Sequence, residues 1–424
     1  MSLTRPLTRP LTRKISRAEL TQGYGGSFSP LLLNPYLLFD ARESMVGTLE
    51  NPTLDLNPAL PETLDVITAT RSGTATYTDV NGNIATAAAD TVRVDHVDGV
   101  PMILVEPSSE NLVEYSEDFS DSSWDKQSGG TGVDPVVTPN SAISPDGTQN
   151  ASKVVFNTAG GTTTSDESFL TVGLPTVIGG TYTQSVYLKG DVRGEQILIR
   201  GAGGSAYTTI TLTTDWVRYE GTEVEPNNTD AYLQIGLRQG LSGVVINQST
   251  TVYIWGAQFE EGSVATSYIP TSGSTVTRQA DDLVISGSDF TDFFNNSEGT
   301  IYCEFEYDFE HAFEYVYNIR QDVNNEIRTQ LTPTNDIRTR YTVADSHIAQ
   351  PSPEGAVQGS LNRHAFSYKT NNFRGNVNGG NDEQDLSGNA SLIPVEMQIG
   401  GRGNGISNIK FKRLIYWPYH SDSL

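Results

Sequence analysis

A chain of 424 residues carrying 51 acidic against 27 basic side chains, a formal net charge of −24, is a poor partner for nucleic acid, because phosphate recognition needs a basic surface. The single cysteine, Cys303, excludes an internal disulfide, and no apolar run approaches the ~20 residues of a membrane-spanning helix. Forty glycines (Gly 40), plentiful Ser, Thr, Asn and Asp and an absence of heptads point to an all-β chain rich in turns, long enough for about two to four domains.

The first residues repeat: Leu3-Thr4-Arg5-Pro6, Leu7-Thr8-Arg9-Pro10, Leu11-Thr12-Arg13. Pro6 and Pro10 block the helix that the spacing of Leu3, Leu7 and Leu11 would otherwise suggest, and they push Arg5 and Arg9 toward extended conformations. Lys14 and Arg17 add charge, and no acid precedes Glu19. Residues 1–35 therefore read as an extended basic arm. Leu3, Leu7 and Leu11 can fill pockets on a partner, while Arg5, Arg9, Arg13, Lys14 and Arg17 pair with its carboxylates. Met1 is followed by Arg and Pro, not by the apolar core of a secretory signal.

Residues 36–106 read as a small β segment packing on the larger domains. Its Asn81-Gly82 turn joins Thr74–Asp79 to Ile84–Ala88 as a hairpin. Residues 107–286 read as a first β-sandwich, with strands at 181–189 and after Trp216. Its last core strand is Val252–Gly262. Strict alternation there would place Tyr253, Trp255, Ala257 and Phe259 on one face. Residues 287–424 read as a second sandwich, with strands at 300–309, 364–369, 373–377, 395–399 and 409–417. The run Gly400-Gly401-Arg402-Gly403-Asn404-Gly405 follows a strand but opens no helix, so it reads as turn glycines rather than a phosphate loop.

Taken together, these blocks resemble structural appendage proteins of tailed bacteriophages. The resemblance is carried by the Leu-Thr-Arg-Pro arm, by Thr70–Asp79 with Arg93 and Leu104-Val105-Glu106-Pro107, by Asn111–Phe119 with Trp124, and by Trp255–Gly262 running through Tyr268-Ile269-Pro270-Thr271 to Asp281. Residues 107–286 are similar to carbohydrate-binding jelly rolls, and 287–424 to concanavalin A-like or laminin-G-like lectin sandwiches. The resemblance implies an all-β virion protein, a tail fibre, head fibre or decoration, with two β-sandwich domains preceded by an extended arm and a small β segment. It implies docking to other virion proteins through the arm, a homo-oligomer with a trimer favoured, and contact with host polysaccharide. It calls for no enzyme, cofactor, metal, nucleic acid or membrane.

Two alternatives accompany that reading: a capsid decoration protein that binds no sugar, and a polysaccharide depolymerase. The second rests on Glu304-Phe305-Glu306-Tyr307-Asp308-Phe309-Glu310, where Glu306-x-Asp308-x-Glu310 is similar to the catalytic strand of retaining β-glucanases. Glu306 and Glu310 would have to lean together, since a retaining pair sits about 5–5.5 Å apart while residues four apart on a strand are about 13 Å apart. An acidic outer face over a core face of Cys303, Phe305, Tyr307 and Phe309 explains the same alternation. Sugar recognition uses exposed aromatic platforms beside a few polar groups, which makes Trp216, Tyr219, Tyr232 and Trp417 the candidates.

Overall fold

The computed structural model describes residues 51–201, 207–225, 231–242, 246–308, 313–334 and 336–424. The docking arm, Leu3 to Arg17, lies outside the described residues, as does Glu310. The described residues are almost entirely antiparallel β-structure. Their helices are one turn at Ser288–Thr291 and a 3-10 turn at Pro61–Leu64.

Two sandwiches carry the fold. The jelly roll has one sheet in the order Val217–Val224, Thr181–Gly190, Ser249–Glu261, Ala151–Asn157, Val133–Ala142, facing a second in the order Thr208–Thr211, Gln196–Arg200, Tyr232–Arg238, Glu167–Gly173, Asp125–Gly129. Between them lie Trp124, Phe156, Leu170, Val186, Leu188, Ile235 and Phe259, all buried. Tyr182, Val186 and Leu188 face this core together, as period-two spacing predicts.

In the other sandwich, Glu298–Tyr307 and Ile409–Trp417 are central strands of an eight-stranded sheet. It faces a seven-stranded sheet in the order Thr68–Thr70, Asp282–Ser286, Glu396–Ile399, Glu314–Asp322, Asn325–Leu331, Ile337–Val343, Ser346–Ala349. The described part of 36–106 does more than pack on the sandwiches. Leu54–Leu56 and Val100–Val105 pair with Ile409–Trp417, and Thr68–Thr70 pairs with Asp282–Ser286. The second sandwich thus draws strands from before residue 107 and from before residue 287, and the jelly roll is inserted between Val100–Val105 and Asp282–Ser286. The hairpin across Asn81-Gly82 forms as expected, pairing Ala75–Thr78 with Ile84–Ala87, and Gly82 adopts φ 81°.

The strand Ser249–Glu261 departs from simple alternation. Gly256 adopts φ 63°, and the register against Thr181–Gly190 shifts between Ser185 and Tyr187. This β-bulge flips the phase. Val252, Ile254, Ala257 and Phe259 face the jelly-roll core, whereas Trp255 turns to the opposite side. There its ring meets Tyr268 at 4.5 Å and Tyr187 at 5.4 Å. A Cβ on Gly256 would lie 3.2 Å from the Tyr187 ring and 3.3 Å from that of Tyr268. Gly256→Val should therefore cost about 1–3 kcal/mol, seen as a lower urea midpoint with an unchanged slope.

Where the insertion leaves its host, a ribbon of Ser109–Asn111 and Val276–Arg278 closes the neck. Buried ions surround it. Arg71 pairs with Asp281 at 2.6 Å, and Arg93 reaches both Asp281 and Glu106, the latter at 2.7 Å. Arg278 lies 3.6 Å from Glu106, whose carboxylate also accepts from the Ser267 amide and hydroxyl at 2.7 Å each. Burial alone would raise the Glu106 pKa. Arg278, Arg93 and Ser267 outweigh it and hold the carboxyl well below the usual range.

Candidate functional site

The outer face of the sheet running from Thr208–Thr211 to Asp125–Gly129 carries an aromatic and polar surface. It arises from alternation: Leu170, Val172, Ile199, Leu233, Ile235 and Leu237 point into the jelly-roll core. Their neighbours Thr171, Arg200, Tyr232, Gln234 and Arg238 lie on the other face, over the fully buried Phe169. Gly236 lies opposite Phe169, and a Cβ there would come within 2.5 Å of the Phe169 ring. The missing side chain lets Phe169 lie across the strand and stack on Tyr207, with centroids 5.6 Å apart and planes 12° apart.

Arg200 is the centre of this face. Its guanidinium carbon sits 4.6 Å from the Tyr207 ring centroid and 4.7 Å from that of Tyr232, so the cation is held between two aromatic rings. Its Nη2 donates to Gln234 Oε1 at 3.1 Å. From there a relay of side chains crosses the sheet. Gln234 Nε2 donates to Thr171 Oγ1 at 3.2 Å, Thr171 Oγ1 to Gln127 Oε1 at 3.2 Å, and Gln127 Nε2 to Asp125 Oδ2 at 2.8 Å. Each link joins side chains on adjacent strands or two residues apart on one, the spacings at which side chains on one sheet face meet. On the other side Arg238 Nη1 donates to the Tyr207 hydroxyl at 3.0 Å.

A depression of about 510 Å³ opens where this relay reaches the solvent, lined by Asp125, Gln127, Thr171, Pro175 and Tyr232 among others. Asp125 and Gln127 are exposed, and Tyr207, Tyr232, Arg200 and Thr171 are half-buried. The face thus combines ring surfaces held rigid by a cation with fixed donors and acceptors. Such a surface suits a flat, hydroxyl-rich ligand, and among its described residues no nucleophile and base are paired.

The four aromatic residues singled out in the sequence do not converge. Tyr232 lines the depression. Trp216 and Tyr219 belong to the edge of the opposite sheet, where the Trp216 indole donates to Ile143 O at 2.9 Å and the Tyr219 hydroxyl to Thr211 O at 3.1 Å. Trp417 is only 7% exposed and packs with Tyr302, Ala365 and Ile415 under Tyr419 and Leu424, so its ring presents no platform. Tyr207, Arg200 and Gln234 complete the face instead.

The acidic strand is not the solvated carboxylate row that alternation suggested. Cys303, Phe305 and Tyr307 do lie in the core. On the other side, Glu304 is buried and meets Lys412 Nζ at 3.2 Å, Arg363 Nε at 3.4 Å and the Tyr302 hydroxyl at 2.8 Å. Glu306 lies opposite Lys410, and burial raises its pKa. Neighbouring strands thus supply cations to this face. Among the described residues no group of three or more His, Cys, Asp or Glu is placed to hold a metal ion.

No family model matches the chain, and a comparison with curated proteins finds no match. Solved structures similar in part are carbohydrate-binding modules and lectin-like domains. The Ruminococcus gnavus IT-sialidase CBM40 bound to α2,3-sialyllactose is 13% identical over 30% of this chain and 78% of that one, with a TM-score of 0.26. The CBM22-1-CBM22-2 tandem of Paenibacillus barcinonensis Xyn10C is 11% identical over 73% and 98%, with a TM-score of 0.25. Mouse laminin α1 LG4-5 is 10% identical over 58% and 84%, with a TM-score of 0.23. Overlaps this loose assign no ligand to this chain.

Proposed function

We propose that this chain is a non-catalytic glycan-binding protein whose binding surface is the Tyr207–Arg200–Tyr232 face of the jelly roll. The observation that carries the reading is the guanidinium held between two tyrosine rings and tied through Gln234 and Thr171 to exposed Gln127 and Asp125. A sugar ring placed against Tyr232 would bury its apolar C–H face there while its hydroxyls meet the amide and carboxylate groups beside it. In the same reading the protein is a virion appendage of a tailed phage, anchored by Leu3 to Arg17. The repeat in the arm and the motif blocks of the sequence support that part, and the face described here would then contact host surface polysaccharide.

A glycan array of the full chain tests the binding. The intact protein should retain one or a few oligosaccharides, and Tyr232→Ala should weaken that signal by about tenfold, the size of one lost anchoring contact. Trp417→Phe should leave it unchanged. A folded chain that retains no glycan would favour a decoration protein without sugar binding.

A further inference from the structure

We propose that the outer face of the seven-stranded sheet is a second binding site, one that takes a saccharide bearing a carboxylate. Five arginines gather there on a protein of net charge −24: Arg320, Arg328, Arg338, Arg340 and Arg402. Alternation sets three of them outward, because Ile327, Leu331, Ile337 and Tyr341 occupy the core. The register then puts like charges face to face. Arg328 is the direct cross-strand partner of Arg340, and Arg338 is two pairs further along on the same face, opposite Gln330.

Two carboxylates answer part of this charge. Glu396 takes Arg320 at 2.6 Å, and Glu326 is shared by Arg402 at 2.9 Å and Arg328 at 3.0 Å. Arg338 and Arg340 make no ion pair among the described residues, and Arg340 Nε instead donates to the Gln350 side chain at 2.8 Å. The Nε–H groups of Arg328 and Arg338 are buried and donate to no protein acceptor, and the buried Oδ1 of Asn318, opposite Arg328, accepts from none. Burial, Arg328 and Arg338 push the Arg340 pKa down.

Directly opposed like charges destabilise a sheet, so the arrangement stands against the fold's own interest unless an anion completes it. Guanidinium forks match the planar carboxylate and bind it bidentately. The acidic remainder of the molecule repels a long polyanion, which favours a short acidic sugar over a nucleic acid.

The test uses the full chain and two variants, Arg338→Gln/Arg340→Gln and Tyr232→Ala, titrated calorimetrically with short oligogalacturonates and with neutral galacto-oligosaccharides of equal length. Binding of the acidic sugars alone is expected. It should weaken with added salt and fall by about tenfold or more in the double arginine variant, while Tyr232→Ala leaves it unchanged. Without ligand, the arginine variant should melt at the same temperature as the intact protein or higher, because a repulsion is removed. A merely structural role would lower its melting temperature. The proposal is overturned if the acidic sugars do not bind, if they bind the arginine variant equally, or if neutral sugars also bind and lose that binding in the arginine variant. Acidic-sugar binding that is lost in Tyr232→Ala but kept in the arginine variant would place the ligand on the jelly-roll face instead and overturn the proposal.

Discussion

Replacing Asp281 by alanine should lower the melting temperature by on the order of 10 °C, a loss of about 3–5 kcal/mol. The reason lies in what the change leaves behind. Asp281 is 2% exposed and serves two guanidiniums, Arg71 and Arg93, themselves 2% and 1% exposed. It also accepts the Glu106 backbone amide at 3.0 Å. Without it, Arg71 has only backbone carbonyls nearby, those of Gly73, Ala88 and Thr91. Arg93 leans on Glu106 alone among the carboxylates. A buried charge stripped of its partner is far costlier than the pair is beneficial, which sets the sign and the size. Because Arg71 and Arg93 belong to the host sandwich and the cluster sits at its junction with the insertion, calorimetry should show the loss in the cooperative unit spanning that junction. A melting temperature within about 2 °C of the intact protein would show the neck to be far looser than its geometry.

Acid should unfold the chain in two stages of the same sign. His364 is buried and its pKa is pushed down to about 3 from an ordinary 6.5. The unfolded chain takes up that proton below about pH 6.5 while the folded chain does not, so stability falls as pH drops from there toward 3. Glu106 behaves as a depressed carboxylate. Its contribution is complete above its ordinary value of 4.5 and is lost as pH falls below it. Urea midpoints should thus be level above about pH 7, decline below 6.5 and steepen below 4.5. His364→Leu should shrink the first decline, leaving the smaller part due to His420, whose pKa burial and Lys369 push down to about 4, and leave the second, since His364 Nδ1 has no hydrogen-bond partner and its Nε2 has only Thr339 Oγ1 at 3.4 Å. A first decline unchanged in His364→Leu would assign it to another group.

Much of the fold could be read from the chain because period-two alternation is local. Glu298–Tyr307, Asn362–Lys369 and Ile409–Trp417 fall within two residues of the stretches marked by their apolar spacing. What stayed hidden depends on distant pairing or on backbone angles. Asp55 meets Arg413 bidentately, at 2.9 and 2.8 Å, across 358 residues of sequence, and nothing local announces it. Trp255 was given the wrong face because the left-handed turn of Gly256 inserts a residue into the ladder. The motif blocks turn out to meet one another. Arg71, Arg93, Glu106 and Asp281 form the ion cluster, and Asn111 joins Ala257, Phe259 and Ile269 by hydrogen bonds.

The candidate face was legible only through Tyr232. Tyr207 follows the glycine-rich run Gly201-Ala202-Gly203-Gly204, and its role depends on Arg200, at the end of the strand paired with Thr208–Thr211, and on the space that Gly236 leaves. The arginine face was missed for a related reason. Arg328, Arg338 and Arg340 each alternate correctly within a strand, but their confrontation exists only once Arg328 is set opposite Arg340.

The central claim is that sugar binds across the Tyr207–Arg200–Tyr232 face, and a co-crystal structure with the oligosaccharide best retained on the array tests it most directly. The account predicts a sugar ring lying against Tyr232, with its hydroxyls hydrogen-bonded to Gln127, Thr171 or Asp125. An oligosaccharide seated elsewhere on the molecule, with that face bare, would contradict it.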